Sequence, residues 1–317
     1  MTREKTGDAT PFHAGELAVQ ERTGLRERAK LLGNMFQSEM PDVHRAFFAR
    51  LPFALFGSVD DTGQPWASML FGEPGFIASP DPSTLVVRAM PAPADPLSRA
   101  LQPGAALGVL GIQLETRRRN RANGHVTQVT AEGFALHVDQ SFGNCPKYIH
   151  VRRPEPLEAV RPPPASEPEA SQLSEAAAER ILASDTCFIA SASAAAPALA
   201  TARDVDSREG VDISHRGGKP GFVQVERTSR GTRLLMPDYV GNNAFNTLGN
   251  LVRHPRAGLL FPDFERGDLL LLACDAEIVW QGHEVARFEG AQRLVTFTVQ
   301  RGLWLRRAMP FRWSQAR

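Results

Sequence analysis

Cysteine is scarce in this 317-residue sequence: Cys145, Cys187 and Cys274 are the only three, odd in number and far apart. That usage argues against a disulfide framework and offers no zinc-ligand spacing. An excess of one charge is missing too. Lysine plus arginine total 36 against 35 aspartate plus glutamate, a net charge of +1 with a pI near 7.8. Nucleic-acid-binding domains draw affinity from neutralising phosphates and usually carry a strong basic excess, so any basic site here must be local. No run approaches the ~20 apolar residues needed to cross a bilayer. The opening MTREKTGDATPFHAGELAVQERTG also lacks an apolar signal core. A cytoplasmic protein, off the membrane, is expected. There is no GxGxxG followed by an acidic residue, no GxxxxGK[ST] and no nucleophile elbow.

What is present is ordinary globular composition, 42% hydrophobic and 22% charged, at a length for which two domains are the prior. Helical spacing of Leu25, Ala29, Leu32 and Phe36 predicts a helix over 24–39, stopped by Pro41. PFALFGSVDDTGQPWASML reads as a hairpin turning at Asp60–Gly63, and strands are expected at 84–89, 106–112, 117–130 and 133–138. Six prolines in 152–172 read as a semi-rigid, exposed linker. A helix over 173–183 and a second β-rich region follow. The tail from Arg293 reads as one more strand and an extended end. Trp66, Trp280, Trp304 and Trp313 read as core or interface residues.

The chain also repeats itself. FGEPGFI at 71–77 matches GGKPGFV at 217–223, pairing Gly72, Pro74, Gly75 and Phe76 with Gly218, Pro220, Gly221 and Phe222. Further on, PGAALGVL at 103–110 matches PRAGLLF at 255–261. Two blocks in the same order at near-equal offsets indicate duplication. Each half then has a leading helix and about six strands, with a helical crossover near 95–102 or 242–253. The expected units are a helical extension (1–44), a first domain (45–151), the proline-rich linker (152–172) and a second domain (173–317).

Two stretches suggest a site. Gly241-Asn242-Asn243 precedes an apolar helix pattern, where backbone N–H groups, the helix dipole and amide side chains favour a phosphate. The same residues also suit a plain helix cap after a glycine turn. Arg216 and Lys219, just upstream, are cations able to meet that phosphate or to be exposed charges beside a Gly-Gly turn. In ETRRRNRANGH (115–125), strand alternation puts Arg117, Arg119 and Arg121 on one side and Arg118 and Asn120 on the other. No aromatic residue interleaves with these arginines, as a single-strand-binding surface would require.

The segments VDISHRGGKPGFVQV (211–225) and TRLLMPDYVGNNAFNTLGNLVRHPRAGLLF (232–261) resemble the pyridoxamine 5′-phosphate oxidase-like family of FMN-binding split barrels. The resemblance covers most of 172–280. It implies a mainly β fold with flanking helices, here two tandem split β-barrels, and FMN as cofactor. Where the oxidase itself has an Arg-Lys pair, this chain has Asn242-Asn243, so phosphate binding would lean on backbone donors, Ser214, Arg216 and Lys219. The family's Arg-x-x-Arg-x-x-Gly strand opening is matched at 118–124, with Arg119 at the flavin-touching position and Arg121 beside it. FGNCPKYI (142–149) is similar to a segment near the family's dimer interface, which makes Lys147 either a flavin or substrate contact or a solvated charge at a strand end, and Cys145 a reactive thiol or a buried small hydrophobe.

The first half thus has the ring-contact strand and the second the phosphate equipment, so one composite site within the chain is expected, or the same site between two chains of a homodimer. The resemblance implies an FMN-dependent oxidoreductase acting on a small molecule, with NAD(P)H as a candidate electron donor. The family's Arg-x-His substrate motif near the C-terminus is absent, which argues against pyridoxamine phosphate itself. The alternative is a non-catalytic flavin or heme module, with His215 or His254 as axial ligand.

Overall fold

A computed structural model describes residues 10–157, 165–195, 206 and 208–315. Its first sheet comprises β1 (Phe53–Val59), β2 (Pro65–Phe71), β3 (Ile77–Ala78), β4 (Thr84–Val87), β5 (Ala106–Gln113), β6 (Arg118–Val129) and β7 (Phe134–Gly143). They are ordered β2-β1-β5-β6-β7-β4-β3. The second comprises β10 (Thr186–Ala192), β11 (Val211–Gly217), β12 (Gln224–Thr228), β13 (Gly231–Asp238), β14 (Arg256–Asp263), β15 (Asp268–Val279) and β16 (Arg293–Arg306). Their order, β11-β10-β14-β15-β16-β13-β12, repeats the first position by position. The fold is mainly β: two tandem split barrels with flanking helices.

The repeated sequence blocks occupy matching places. Phe76 N–H donates to the Glu73 carbonyl at 2.8 Å and Phe222 N–H to that of Lys219 at 2.9 Å, closing the same turn in each half. The ladders fix the correspondence further. Gly57 pairs with Gly108, which pairs with Asn123, while Ala190 pairs with Gly258, which pairs with Ala273. Gly108 and Gly258 are therefore equivalents, and both lie where a strand of the opposite half passes. A Cβ on Gly108 would come within 2.6 Å of the Val211 carbonyl oxygen, and one on Gly258 within 2.5 Å of that of Pro65. Only glycine allows that approach.

The central strands β1 and β10 are buried along their whole length because both of their faces meet apolar partners. Ala54 and Phe56 point into the first barrel, and Cys187 and Ile189 into the second. The alternate residues Phe53, Leu55, Phe188 and Ala190 join Trp66, Met69, Leu110, Ile112, Ile213, Leu260 and Leu271 in a third cluster between the barrels. Burial of a side chain of this size stabilises by about 2 kcal/mol. The halves thus share an apolar core.

Helices cover the ends. They are α1 (Ala14–Arg22), α2 (Arg26–Lys30), α3 (Asp42–Phe48), α4 (Leu97–Ala100), α5 (Glu175–Ala183), α6 (Asn246–Arg253) and α7 (His283–Ala286). The single helix expected over 24–39 is instead α2 followed by a 3-10 turn at Gly33–Met35. The stripe itself is covered, with Ala29 buried beside Phe12 and Leu32 and Phe36 packed against them, but Gly33 weakens the helical run. The flanks of the proline-rich stretch also differ from expectation. Arg152–Pro156 (β8) pairs with Phe311–Gln315 (β17), and Ala165–Glu169 (β9) pairs with β16. Proline is tolerated on such edges, where the missing N–H faces away from the ladder. Residues 158–164 lie outside the described residues. The extended tail is likewise a paired strand, β17.

Candidate functional site

Strand β6 splits its arginines by face. Arg118 turns outward, donates to the Val43 carbonyl at 3.1 Å and lies 4.8 Å over the Phe47 ring. Arg119 and Arg121 turn inward to a pocket between the two halves. Arg117 is exposed in a left-handed turn before the strand (φ 55°) and is not part of that face.

The opposite wall belongs to the second half. Ser214, His215 and Arg216 come from β11, Asp238 from the end of β13, and Tyr239, Gly241, Asn242 and Asn243 from the following loop. Phe245, Asn246, Thr247 and Leu248 contribute the start of α6, and Asn144, Cys145, Lys147 and Tyr148 close the pocket from the segment after β7. Of the residues singled out in the sequence, Arg119, Arg121, Lys147, Ser214, Arg216, Asn242 and Asn243 all line this pocket. Lys219 does not: it is exposed on the turn whose carbonyl accepts from Phe222. Neither Asn242 nor Asn243 caps α6. Asn242 Oδ1 accepts from Ala244 N–H at 3.2 Å, and the helix starts later, after Phe245. The first N–H groups of α6 lack intrahelical partners and border the pocket.

Arg121 is buried and anchored. Its Nη1 donates to Asp212 Oδ1 at 3.0 Å and its Nη2 to Ser214 Oγ at 2.5 Å. Asp212 also accepts from Asn123 Nδ2 at 2.7 Å and Asn250 Nδ2 at 3.0 Å. Ser214 Oγ lies 2.9 Å from Thr247 Oγ1, tying β11 to α6. Behind this network sits α1, which the sequence did not reveal. Its Glu16 accepts from Asn246 Nδ2 and from His13 N–H, and His13 Nε2 is 2.9 Å from Asn250 Oδ1. Burial, reinforced by the nearby Asp212 carboxylate, holds the Glu16 carboxyl well above the usual range.

Arg119 is left available. Burial, with help from Arg121 and Arg216, lowers its pKa to about 10, so the guanidinium stays charged at neutral pH. Its Nε has no partner among the described residues, nor do Arg121 Nε, Asn144 Nδ2 or either ring nitrogen of His215. Burial and the surrounding Arg119 and Arg216 push His215 well below its ordinary value, so the imidazole is neutral. Asp238 is pushed upward by burial, against the pull of Arg216 and Arg293. The pocket therefore presents a cluster of cations and free donors, the electrostatics of an anion site. Left-handed backbone concentrates here as well: Tyr148 (φ 64°), Asn243 (φ 64°) and Phe245 (φ 65°) all line the pocket. Non-glycine residues held this way cluster at functional sites.

The symmetry-related position is filled. By register, Arg119 and Arg121 correspond to Leu269 and Leu271, and His215 and Arg216 to Met69 and Leu70; all four replacements are buried. His254, the other histidine considered as an axial ligand, is engaged elsewhere, its Nε2 lying 2.7 Å from the Gly63 carbonyl oxygen. Among the described residues no group of three or more metal-ligating side chains is arranged for a metal ion.

No family model and no curated protein matches the chain. Among solved structures it is similar to a putative pyridoxamine 5′-phosphate oxidase from Lactobacillus delbrueckii, at 11% identity over 42% of this chain and 94% of that one, TM-score 0.30. HupZ of Group A Streptococcus matches at 11% identity over 40% and 90%, TM-score 0.29. HutZ, the heme storage protein of Vibrio cholerae, matches at 16% identity over 43% and 95%, TM-score 0.25. Each of these chains spans less than half of this one. No helix among the described residues is long and apolar enough to cross a membrane.

Proposed function

We propose that the chain is an FMN-dependent oxidoreductase holding one flavin in the pocket between its two barrels. The observation that carries this reading is convergence: Arg119 and Arg121 of one half meet Ser214, Arg216, Asn242, Asn243 and the start of α6 of the other in one cavity. The donor set fits the group. Arg216, the Asn242-Asn243 amides and the α6 N-terminus suit a phosphate. The Arg119 guanidinium, which makes no side-chain hydrogen bond among the described residues, suits the carbonyl-rich edge of an isoalloxazine.

Bound FMN would supply two-electron redox chemistry; the chain supplies binding, orientation and electrostatics. Arg121 is committed to Asp212 and Ser214, so Arg119 is the guanidinium left to meet ring charge. Kept charged in a buried wall, it favours the electron-rich, anionic form of whatever ring it faces. The leucines and methionine at the related position argue for a single flavin per chain.

The test is the absorption spectrum of the purified chain, titration with FMN, and reduction by NADH or NADPH with and without air. Bands near 370 and 450 nm at one flavin per chain are expected. A colourless protein that takes up no added FMN refutes the reading. One observation supports a second reading, heme handling: His215 is a neutral imidazole with both nitrogens free, the state that ligates metal. A Soret band that disappears in His215→Ala would establish it.

A further inference from the structure

The chain has two tyrosines, and both stand on the lip of the pocket. Tyr148 follows β7 in the first half and Tyr239 follows β13 in the second. Their rings stack with centroids 5.6 Å apart and planes inclined at 28°. Tyr148 is 41% exposed and the adjoining Val240 50%. A broad apolar ledge thus faces solvent above a cavity walled with cations.

Several contacts hold the ledge in place. Tyr148 Oη donates to the Val240 carbonyl at 3.1 Å, bridging the two halves. Its own carbonyl packs onto Gly217, where a Cβ would come within 2.2 Å. The next residue, Ile149, is buried between the barrels. These contacts keep Tyr148 in left-handed backbone that a bulky residue adopts only under constraint. Beside it, Lys147 is exposed and has no carboxylate partner among the described residues. An exposed, rigidly held aromatic face next to an unpaired cation is the chemistry that recognises a flat ring with a negative substituent.

We propose that this ledge is a second ligand subsite, for a planar aromatic molecule bearing an anionic group. The ring stacks on the Tyr148–Tyr239 pair and the anion meets Lys147. The proposal rests on the reading that flavin fills the cavity beneath, since the ledge would then hold the co-substrate at the mouth. A flat ring gains from stacking on an aromatic face beyond its area burial, and a saturated ring of equal size does not.

The test uses the full chain, first titrated with FMN and then with 2-naphthoate by calorimetry. Decahydro-2-naphthoate is the saturated control. Saturable binding of 2-naphthoate to the FMN-loaded protein is expected, with the control much weaker. Tyr148→Ala and Tyr239→Ala should each weaken it roughly three- to tenfold. Tyr148→Phe keeps the ring and should stay within about twofold. Lys147→Gln should weaken 2-naphthoate and leave naphthalene-2-methanol unchanged. The proposal is overturned if 2-naphthoate does not bind, if the saturated control binds as well, or if the alanine variants bind it like wild type. It is also overturned if Tyr148→Phe loses as much as Tyr148→Ala, which would make the hydroxyl tie the determinant. Loss of FMN itself in the alanine variants would mean that the ledge belongs to the flavin. Failure of the wild type to take up FMN sinks the flavin reading instead, and the same titration on the unloaded chain still judges the ledge.

Discussion

Removing the Asp212 carboxylate should be among the most damaging single changes in the molecule. Asp212 accepts from Arg121 at 3.0 Å, Asn123 at 2.7 Å and Asn250 at 3.0 Å, so it ties the first barrel's β6 to β11 and α6 of the second. Asp212→Ala leaves the buried Arg121 guanidinium facing Ser214 and other cations, with no negative charge in contact. Breaking a buried pair this way costs about 3–5 kcal/mol. Asp212→Asn keeps the shape and an acceptor while losing the charge, and should cost about 1–3 kcal/mol. Urea unfolding of the ligand-free protein, with the slope compared across variants, reads these directly and needs no cofactor. Pairing Asp212→Ala with Arg121→Met should cost less than the sum of the singles by about 1–3 kcal/mol, because the second change removes the orphaned charge. An Asp212→Ala variant within about 0.5 kcal/mol of wild type, or strictly additive singles, would refute the view that this pair joins the halves.

Arg119→Ala should leave unfolding nearly unchanged and weaken FMN binding or lower the flavin potential; unchanged affinity and potential would remove Arg119 from the ring contact. Arg216→Ala should weaken FMN more than riboflavin, since only FMN carries the phosphate, and equal losses would move the phosphate elsewhere. Asp95 is buried, accepts from Ser68 Oγ at 2.5 Å and Leu97 N–H at 2.9 Å, and is pushed up to about 6 by burial. The unfolded chain loses this proton near 3.8 and the folded chain near 6. Between those values the unfolded state binds fewer protons, so stability falls as pH rises through that window, by about 3 kcal/mol in all. Asp95→Asn should therefore remove that slope and stabilise the protein at pH 7.5; an unchanged slope would show that Asp95 is not the group responsible.

The parts of this architecture legible in the sequence are those that repeat or alternate locally. The two Pro-Gly-Phe blocks announced matching turns, and the period of two in β6 separated Arg118 from Arg119 and Arg121. What stayed hidden depends on contacts distant in sequence. In α1, AGELAVQER, the buried face carries Glu16 and Gln20 beside Gly15 and Val19, so no apolar stripe marks it. That face is covered by α6 at a close crossing, where a Cβ on Gly15 would come within 2.2 Å of the Gly249 carbonyl oxygen. Tyr148 and Tyr239 meet because two loops of different halves converge, which no local pattern encodes. The proline-rich flanks misled for a different reason: proline argues against central strands and says nothing against edges.

The difference between the halves explains why one pocket exists where symmetry would allow two. In β6 the inward positions are Arg119 and Arg121; the equivalent positions of β15 are Leu269 and Leu271, buried in the cluster between the barrels with Phe53, Met69, Leu110 and Trp313. A cation-lined cavity contributes little cohesion, and its buried arginine needs Asp212, Asn123 and Asn250 around it. The related position replaces that arrangement with close-packed side chains each contributing about 2 kcal/mol on burial. Two open pockets would remove much of the apolar contact that joins the barrels. Filling one lets the interface hold while the other keeps unpartnered donors and left-handed backbone.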